Sequence, residues 1–407
     1  MPGEGRGEDA RARRLTARRG PPGRGLSRRI ALIYDAVYPY VVGGAERRYY
    51  EIASAAGEDQ HFVLYGLNYW RHDPSRRLPH CDYVAVAPAM PLYTRSGRRS
   101  LLEPLVFAWG LLWALLRSRE DVWDIASFPY LSVPVARLMS VLRRRALVVT
   151  WLEYWGDYWF EYLGRAGIIG KFFETLALRC SPRIVAISAF TKRKLVAAGA
   201  REDRIVILPN GVDTARIAAV PASLESTEII YAGRLLAHKQ LDLLIRAMRL
   251  LREVRPSTAL LVIGDGPERA RLEHLADTLG VRAAVRFTGA LRSPEEVYAH
   301  LKASQVLVLP SKREGFGTVV VEAWACGIPV VVCDEPENAA VELIDSTVTG
   351  RVVASNPAAI AAACQELLAG DSSEGRRERQ AAAARYDWNT IAAEATAIYA
   401  ASLEPER

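Results

Sequence analysis

Short apolar runs rich in β-branched residues alternate with longer amphipathic segments along most of the chain. Runs such as Ile229–Ala232 and Gln305–Pro310 are typical of strands buried on both faces of a parallel sheet. The segments between such runs are typical of helices. The alternation therefore predicts an α/β fold built from parallel βαβ units.

The predicted strands form two groups, which indicates two domains in a chain of 407 residues. The first group comprises Arg29–Tyr34, His61–Tyr65, Tyr83–Val86, Val122–Ser127, Ala146–Thr150, Arg183–Ile187 and a run from Ile205. The second comprises Ile229–Ala232, Ala259–Ile263, Ala284–Thr288, Gln305–Pro310 and Val330–Cys333. The predicted segments are a tail (1–28), a first Rossmann-like domain (29–213), a linker (214–227), a second Rossmann-like domain (228–384) and a final amphipathic segment (385–407).

One strand–turn–helix segment holds the most informative pattern. Gly315 and Gly317 loosen the turn after a strand, and Thr318 is predicted to cap the helix that follows. The N-terminus of such a helix offers backbone N–H groups to an anion. Glu314 stands on the turn and Glu322 in the helix. The spacing of the two acids alone is explained equally well without a ligand. Glu314 would then be an exposed loop charge and Glu322 an acid favoured by the helix dipole.

Two other strand ends in the second group carry similar chemistry. Gly233 and Arg234, followed by Lys239, come after one strand, and Asp265 comes after the next, between two glycines. The carboxyl ends of parallel strands meet at one edge of a sheet, and open α/β sheets bind ligands there. The sequence therefore predicts a ligand site that combines cations, backbone amides and carboxylates.

The motifs at these strand ends resemble those of a known enzyme family. Gly233-Arg-Leu-x-x-x-Lys239, Gly264-x-Gly-Pro267 and Pro310-Ser-x-x-Glu-Gly-Phe-Gly-x-x-x-x-Glu-Ala323 resemble, in the same order, the C-terminal half of the GT4-type (group 1) retaining glycosyltransferases. Pro209-Asn-Gly-Val-Asp213 is similar to a further motif of that family. The resemblance runs from residue 30 to the C-terminus. It implies the GT-B fold, in which two Rossmann-like parallel-sheet domains face each other across a cleft.

The resemblance also implies roles for individual residues. The first domain would bind the acceptor, the second would bind a nucleoside-diphosphate sugar, and the final segment would cross back to the first domain. Arg234 and Lys239 would neutralise the diphosphate, Glu314 would position the donor sugar, and Glu322 would accept hydrogen bonds from the ribose. The other implied donor-binding residues are Gly43, Gly44, Gly233, Gly315, Phe316, Gly317 and Thr318, with Asp265 in a supporting role. In isolation, Gly43 and Gly44 also fit a simple turn between strand and helix.

An aromatic loop after the fifth strand, Thr150–Trp159, is predicted to reach the cleft. Aromatic rings stack on apolar sugar faces and carboxylates bind hydroxyls, so Glu153 and Asp157 are candidates for acceptor or sugar binding. The alternative is a loop that only closes the base of the domain. Many relatives carry His where this chain has Leu152, and we expect the change to favour a donor sugar without a 6-hydroxyl. The alternatives are that Glu153 or Asp157 supplies the missing contact, or that Leu152 marks a weakened enzyme.

Charge and composition limit the classes of partner that the sequence favours. The formal net charge is +7, but residues 1–29 alone contribute +6, from nine Arg against three acids. The body of the chain is therefore nearly neutral, and we expect no nucleic-acid partner. The tail has almost no apolar residues and is expected to be disordered, as a solvated arm or as an attachment to an anionic membrane. Scattered cysteines indicate a reduced, cytoplasmic protein, and no motif indicates a metal or a cofactor.

The apolar segment Ser100–Arg117 allows two interpretations. It is too short for a comfortable transmembrane span and contains Glu103 and Pro104. A helix packed on the first sheet is one interpretation. A helix at the membrane interface, at the inner face of the membrane, is the other, and it would suit a lipid-linked acceptor.

The function expected from the sequence is transfer of a sugar, with retention, to a hydroxyl of a glycan or a lipid-linked glycan, as in cell-envelope polysaccharide biosynthesis. Two other functions remain open. A sugar-nucleotide epimerase has the same architecture but would need acids and a base aimed at a ring carbon. A catalytically weakened binding protein would explain Leu152.

Overall fold

Two parallel sheets organise the chain in this computed structural model, which describes residues 28–41, 43–56, 60–92, 100, 102–370 and 372–404. The first sheet has seven strands in the order β3-β2-β1-β4-β5-β6-β7, and the second has six in the order β10-β9-β8-β11-β13-β15. The first contains β1 (Arg29–Ile33), β2 (His61–Asn68), β3 (Asp82–Pro88), β4 (Val122–Ala126), β5 (Ala146–Trp151), β6 (Arg183–Ala186) and β7 (Ile205–Ile207). The second contains β8 (Thr227–Ala232), β9 (Leu260–Ile263), β10 (Val285–Gly289), β11 (Ser304–Leu309), β13 (Val330–Asp334) and β15 (Gly350–Ala354). The predicted tail falls almost entirely on residues 1–27, outside the described residues.

Helices connect the strands, as expected for parallel sheets. Those of the first half are α1 (Gly44–Ala55), α2 (Glu103–Arg117), α3 (Ser132–Arg143), α4 (Tyr158–Leu163), α5 (Gly167–Arg179), α6 (Ala189–Ala197) and α7 (Thr214–Ala219). Those of the second half are α8 (Leu241–Val254), α9 (Arg269–Thr278), α10 (Pro294–Lys302), α11 (Thr318–Ala325), α12 (Pro357–Leu368), α13 (Ser373–Ala384) and α14 (Trp388–Ser402). The predicted linker, 214–227, thus includes the short helix α7.

The first sheet is covered on both faces. Alternate residues of β1 point to opposite sides, so Ala31 and Ile33 join a core with α2, α3 and α5, whereas Ile30 and Leu32 join a core with α1 and α14. The last helix packs against α1, and its Tyr399 hydroxyl donates a 2.7 Å hydrogen bond to buried Asp124. The final segment of the chain therefore completes the N-terminal domain.

Two details of the loop after β11 differ from the sequence prediction. Residues Arg313–Glu314 (β12) pair with Glu337–Asn338 (β14) in a small parallel ladder, which the turn chemistry did not predict. The prediction that Thr318 caps α11 is wrong. Gly317 occupies the N-cap position at φ +89°, a left-handed conformation that favours glycine, and Thr318 is the first helical residue.

The predicted helix within Ser100–Arg117 is confirmed as α2, which packs against β3 and α3. No helix in the described part of the chain is long and apolar enough to cross a membrane.

Candidate donor site and interdomain cleft

The loops after β8, β9 and β11 meet at one edge of the second sheet because these three strands are neighbours. The amide of Gly233 donates to the carbonyl of Ile263 (3.0 Å), and the amide of Leu235 donates to that of Asp265 (2.9 Å). The amide of Lys312, in the third loop, donates to the carbonyl of His238 (2.8 Å). The backbone therefore holds the three loops together as one surface.

The glycines of the second loop are required by this close approach. Gly264 has φ +133°, and a Cβ there would lie 1.9 Å from the carbonyl oxygen of Gly233. Asp265 serves the same packing, since its Oδ1 accepts from the amide of Gly266 (2.7 Å) and its Oδ2 lies 3.3 Å from Arg269 Nη1. Asp265 thus lies at the predicted edge, in contacts that shape the loop.

The three predicted charged groups lie together but differ in their partners. Lys239 Nζ lies 2.6 Å from Glu314 Oε1, and both side chains are largely buried, with exposed fractions of 16% and 12%. The side chain of Arg234 is exposed and makes no hydrogen bond or ion pair within the described residues. Of these three groups, Arg234 is therefore the one unpaired within the described residues, beside a paired cation and carboxylate.

Glu322 is held by one residue of each domain. Its Oε1 accepts a hydrogen bond from the Tyr298 hydroxyl (3.2 Å) and lies 3.4 Å from Nη1 of Arg47, on α1 of the first domain. Arg47 Nη2 also donates to the Tyr298 hydroxyl (2.9 Å). Burial raises the pKa of the Glu322 carboxyl above its ordinary value, and Arg47 and Tyr298 offset part of that rise.

Gly43 and Gly44 stand at the N-terminus of the same helix, α1, which places this turn on the cleft side of the first domain. No side chain caps the helix at Gly43. The Glu46 carboxylate lies close over the turn, because a Cβ on Gly43 would be 2.5 Å from its Oε1. One side of the turn at Gly43 and Gly44 is therefore covered by the Glu46 carboxylate of the same helix.

The glycine turn before α11 touches the first domain. The Ser188 hydroxyl donates to the carbonyl of Gly315 (3.0 Å), and a Cβ on Gly315 would lie 2.6 Å from the carbonyl oxygen of Leu152. Phe316 is buried, with its ring 5.8 Å from that of Tyr386, so only its backbone faces the turn's surroundings. Leu152 is partly buried against the core of the second domain.

The two predicted acids of the aromatic loop have partners of their own. Glu153 Oε1 accepts from Arg313 Nε (2.7 Å), and its Oε2 accepts from the Trp155 indole (2.7 Å). The Arg313 guanidinium lies over the Tyr158 ring, 4.0 Å from its centroid. Asp157 is exposed and pairs with Lys171 (2.6 Å). Glu153 therefore binds the second domain, whereas Asp157 remains at the surface.

A cavity of ≈ 940 Å³ opens between the domains beside this loop. Its lining includes Tyr154, Trp155, Asp157, Tyr158 and Lys171 from the first domain and His238, Gln240, Lys312, Arg313 and Glu337 from the second. Nη2 of Arg313 and Oε1 of Gln240 are buried and have no hydrogen-bond partner within the described residues. Burial and nearby Lys239 lower the pKa of His238 to about 4, so this imidazole is neutral at physiological pH.

Four residues gained contacts in the cleft that sequence reasoning did not assign. Arg313 lies inside a quoted motif and Arg47 follows the glycine turn at Gly43 and Gly44, but a lone arginine beside a glycine turn gives no sign of its partner. His238 occupies a variable position of the motif that ends at Lys239, and Tyr298 lies within an ordinary helical segment, so neither gave a signal. Among the described residues, no group of three His, Cys, Asp or Glu side chains could hold a metal ion.

Comparison with solved structures shows the fold. A glycosyltransferase from Rickettsia africae matches 93% of this chain and 100% of its own, with a TM-score of 0.71 and 16% identity. The Anabaena protein Alr3699/HepE, solved in complex with UDP and glucose, covers 92% of this chain and 100% of its own, with a TM-score of 0.71 and 19% identity. The two domains thus have the GT-B arrangement, as predicted.

Relatives in sequence match over shorter stretches. A GDP-mannose-dependent alpha-(1-6)-phosphatidylinositol monomannoside mannosyltransferase of Mycolicibacterium smegmatis is 33% identical over 46% of this chain and 53% of its own length. A glycogen synthase of Mycobacterium tuberculosis is 31% identical over 58% of each chain. The match therefore spans little more than half the length of these relatives.

Family models match both halves of the chain. The model for glycosyltransferase family 4 matches residues 42–216, and the model for glycosyl transferases group 1 matches residues 214–386. The residues and motifs that resembled this family lie inside these two matches. The chain belongs to the group 1, family 4 glycosyltransferases.

Proposed function

We propose that this protein transfers a sugar from a nucleoside-diphosphate sugar to a hydroxyl of a glycan or lipid-linked acceptor, with retention of the anomeric configuration and without a metal ion. The observation that carries the proposal is the convergence of Arg234, Lys239 and Glu314 at neighbouring strand ends of the second sheet. Arg47 and the glycine turn of α1 lie across the cleft from them.

The donor site follows from the charge that the reaction releases. Breaking the bond between the anomeric carbon and the phosphate leaves a diphosphate, whose added negative charge needs cations and N–H donors in place. Arg234 is free to bind the phosphates, and Lys239 can share its ammonium between Glu314 and the diphosphate. Thr318, at the uncapped start of α11, and Gly43 and Gly44 would add backbone amides. This set of groups supports catalysis without a divalent ion.

Glu314 and Glu322 would bind different parts of the donor. Glu322 is buried near the sheet and would accept hydrogen bonds from the ribose, while Glu314 would accept them from the sugar hydroxyls. In the step itself, the acceptor oxygen bonds to the anomeric carbon as the phosphate leaves from the same face. The acceptor proton passes to the departing phosphate oxygen. Glu314 positions the sugar and forms no bond to it.

The cavity beside the aromatic loop is the proposed acceptor site. Trp155 and Tyr158 supply rings, Asp157 supplies a carboxylate, and Arg313 has an unsatisfied donor, a mixture that suits a polyhydroxyl ligand. One relative is named for transfer to a phosphatidylinositol mannoside, which supports a lipid-linked acceptor. Its name also makes GDP-mannose one of the donors to test.

The test is release of nucleoside diphosphate from UDP-, GDP- and ADP-sugars, with and without oligosaccharide or glycolipid acceptors. We expect one donor class to release its diphosphate mainly when an acceptor is present. The anomeric configuration of the product, read by proton NMR, should match that of the donor. A donor sugar changed in configuration with no diphosphate released would instead indicate an epimerase. Binding of a nucleotide sugar with no chemistry on any acceptor would indicate a binding protein.

A further inference from the structure

The outer surface of α2, α3 and α5 exposes many large apolar side chains. These helices cover the same face of the first sheet, and α3 contacts both of its neighbours. Most of the large apolar side chains exposed in the described residues lie here or at the adjoining ends: Leu102, Leu105, Trp109, Trp113, Leu116, Leu138, Val141, Leu142, Phe160, Ile168, Ile169 and Phe172. We call this set the apolar face. Contiguous exposed apolar surface of this kind marks an interaction site.

Helix α2 shows that the apolar face is not a by-product of core packing. Phe107, Leu111 and Leu115 already fill its buried side. The opposite side carries Trp109 and Trp113, which are 65% and 45% exposed and contact each other edge to face, with ring centroids 5.9 Å apart. A helix that only needed to pack on the sheet would place polar residues there.

The charges around the apolar face are basic except at the end that adjoins the cavity. The acids of the three helices, Glu103 and Glu174, are fully buried. The exposed charged residues on them and at their ends are basic: Arg117, Arg137, Arg143, Arg144, Arg165 and Arg179. Two exposed acids, Asp157 and Glu161, lie at the cavity end of the face, where Asp157 pairs with Lys171 of α5. An apolar surface with aromatic residues and a basic rim complements the headgroup region of an anionic bilayer.

The apolar face also reaches the mouth of the cavity. Lys171, on α5, lines the cavity and lies over the Phe160 ring, 5.7 Å from its centroid. Phe160, one of the exposed residues of the apolar face, therefore stands beside the cavity. A lipid held in a bilayer at this face would have its headgroup near the cavity.

We propose that the apolar face binds an anionic lipid bilayer and seats the cavity mouth at the headgroup level. Binding to the bilayer does not depend on the proposed function. The placement of a lipid-linked acceptor at the cavity does rest on it. In this proposal the protein lies on the surface of the bilayer. A second copy of the chain fits less well, since a two-fold contact would bring the two basic rims together.

The test is co-sedimentation of the full chain with phosphatidylcholine vesicles that contain either no anionic lipid or phosphatidylglycerol. Trp109→Ser/Trp113→Ser removes two exposed rings without changing charge. Leu250→Ser/Val254→Ser is the matched control, because these residues also lie four apart on an exposed helix, in the second domain. We expect the tryptophan variant to lose at least tenfold in vesicle affinity and the control variant to bind as the wild type does.

The basic rim has its own variant. Arg137→Gln/Arg179→Gln should lose about fivefold per arginine on phosphatidylglycerol vesicles, with a smaller loss in high salt. Vesicle binding is measured without any sugar nucleotide, so Arg234→Ala should bind as the wild type does even if it transfers no sugar. The proposal is overturned if the wild type ignores anionic vesicles or if the tryptophan and control variants bind equally. It is also overturned if sedimentation velocity shows a dimer that only the tryptophan variant dissociates, with vesicle binding unchanged.

Discussion

The loops of the second sheet and the aromatic loop of the first domain both end at the cleft, but their charged groups are engaged differently. On the second domain, Arg234 is exposed and has no partner in the part of the chain that the structure describes, and Lys239 and Glu314 pair within the site. On the first, Glu153 is held by Arg313 of the opposite domain. The charges of the second-domain edge are therefore exposed or paired within that domain, whereas the first domain uses a carboxylate to hold the domains together.

Ion pairs between charged side chains of the two domains hold the domains together. Lys194 pairs with Glu337 and Arg193 pairs with Glu342, and both pairs join α6 to the second domain. With Arg47–Glu322 and Arg313–Glu153, ion pairs span the cleft at several points. Closure of the cleft on a donor would have to keep or exchange these pairs, so their strength should affect donor binding as well as stability.

The largest effect is expected from Arg234→Ala. The exposed guanidinium is proposed to neutralise the departing diphosphate, so its loss should cost about 2–4 kcal/mol of transition-state stabilisation, roughly 30- to 1,000-fold in kcat/KM. The free energy of unfolding should be unchanged, because the side chain is exposed and makes no hydrogen bond or ion pair within the described residues. Arg246→Ala, which removes an exposed arginine from α8, is the control. Wild-type turnover in Arg234→Ala would remove this residue from the site.

Arg47→Met tests the pair that crosses the cleft. It leaves the buried Glu322 carboxylate with Tyr298 alone, which should cost about 1.5–3 kcal/mol in the free energy of unfolding. It should also raise the pKa of Glu322 further. Ribose binding needs the carboxylate form, so donor affinity should fall on acidification, beginning at a higher pH in Arg47→Met than in the wild type. Calorimetric titration of the donor across pH measures this, and identical pH profiles would contradict it.

Leu152→His tests donor choice. Leucine would leave a 6-hydroxyl unpaired, at a cost of about 1–3 kcal/mol, so the wild type should prefer a 6-deoxyhexose or a pentose by roughly tenfold. The histidine variant should reverse that preference. The measurement is kcat/KM for nucleotide-activated glucose, mannose, xylose and a 6-deoxyhexose. A wild type that prefers glucose or mannose to the other two refutes the expectation.

Excess chelator should have the smallest effect, because side-chain cations and amides are proposed to act in place of a divalent ion. Transfer rates with EDTA and with added Mg²⁺ or Mn²⁺ should agree within experimental error. Loss of activity in EDTA that Mg²⁺ restores would contradict the metal-independent mechanism.

The position of the charged groups at the second-domain edge could be predicted from the sequence, because each group lies close in sequence to the strand that positions it. Apolar runs mark the strands, and each polar group follows its strand within a few residues, so parallel topology alone brings Arg234 and Glu314 together. The family resemblance then extended this to the GT-B fold, which the structure confirms.

The cleft contacts could not be predicted in the same way. Arg47 and Glu322 are 275 residues apart in sequence, and Arg313 and Glu153 are 160 apart. Each side chain alone resembles a solvated surface charge. Only the packing of the two domains, which no local pattern encodes, decides that these charges meet. The cap of α11 was mispredicted for a smaller reason, since the preference of Thr for N-caps was outweighed by the left-handed conformation that Gly317 adopts.

The central claim is that the edge of the second sheet binds the nucleotide sugar while Glu153 of the first domain holds the domains together. Thermal unfolding with UDP-, GDP- and ADP-sugars tests it in the wild type, Glu322→Gln and Glu153→Gln, each compared with its own ligand-free melting temperature. One donor class should stabilise the wild type and Glu153→Gln but not Glu322→Gln, although Glu153→Gln should melt lower without ligand. Equal stabilisation of both variants, or stabilisation of Glu322→Gln alone, would contradict the claim.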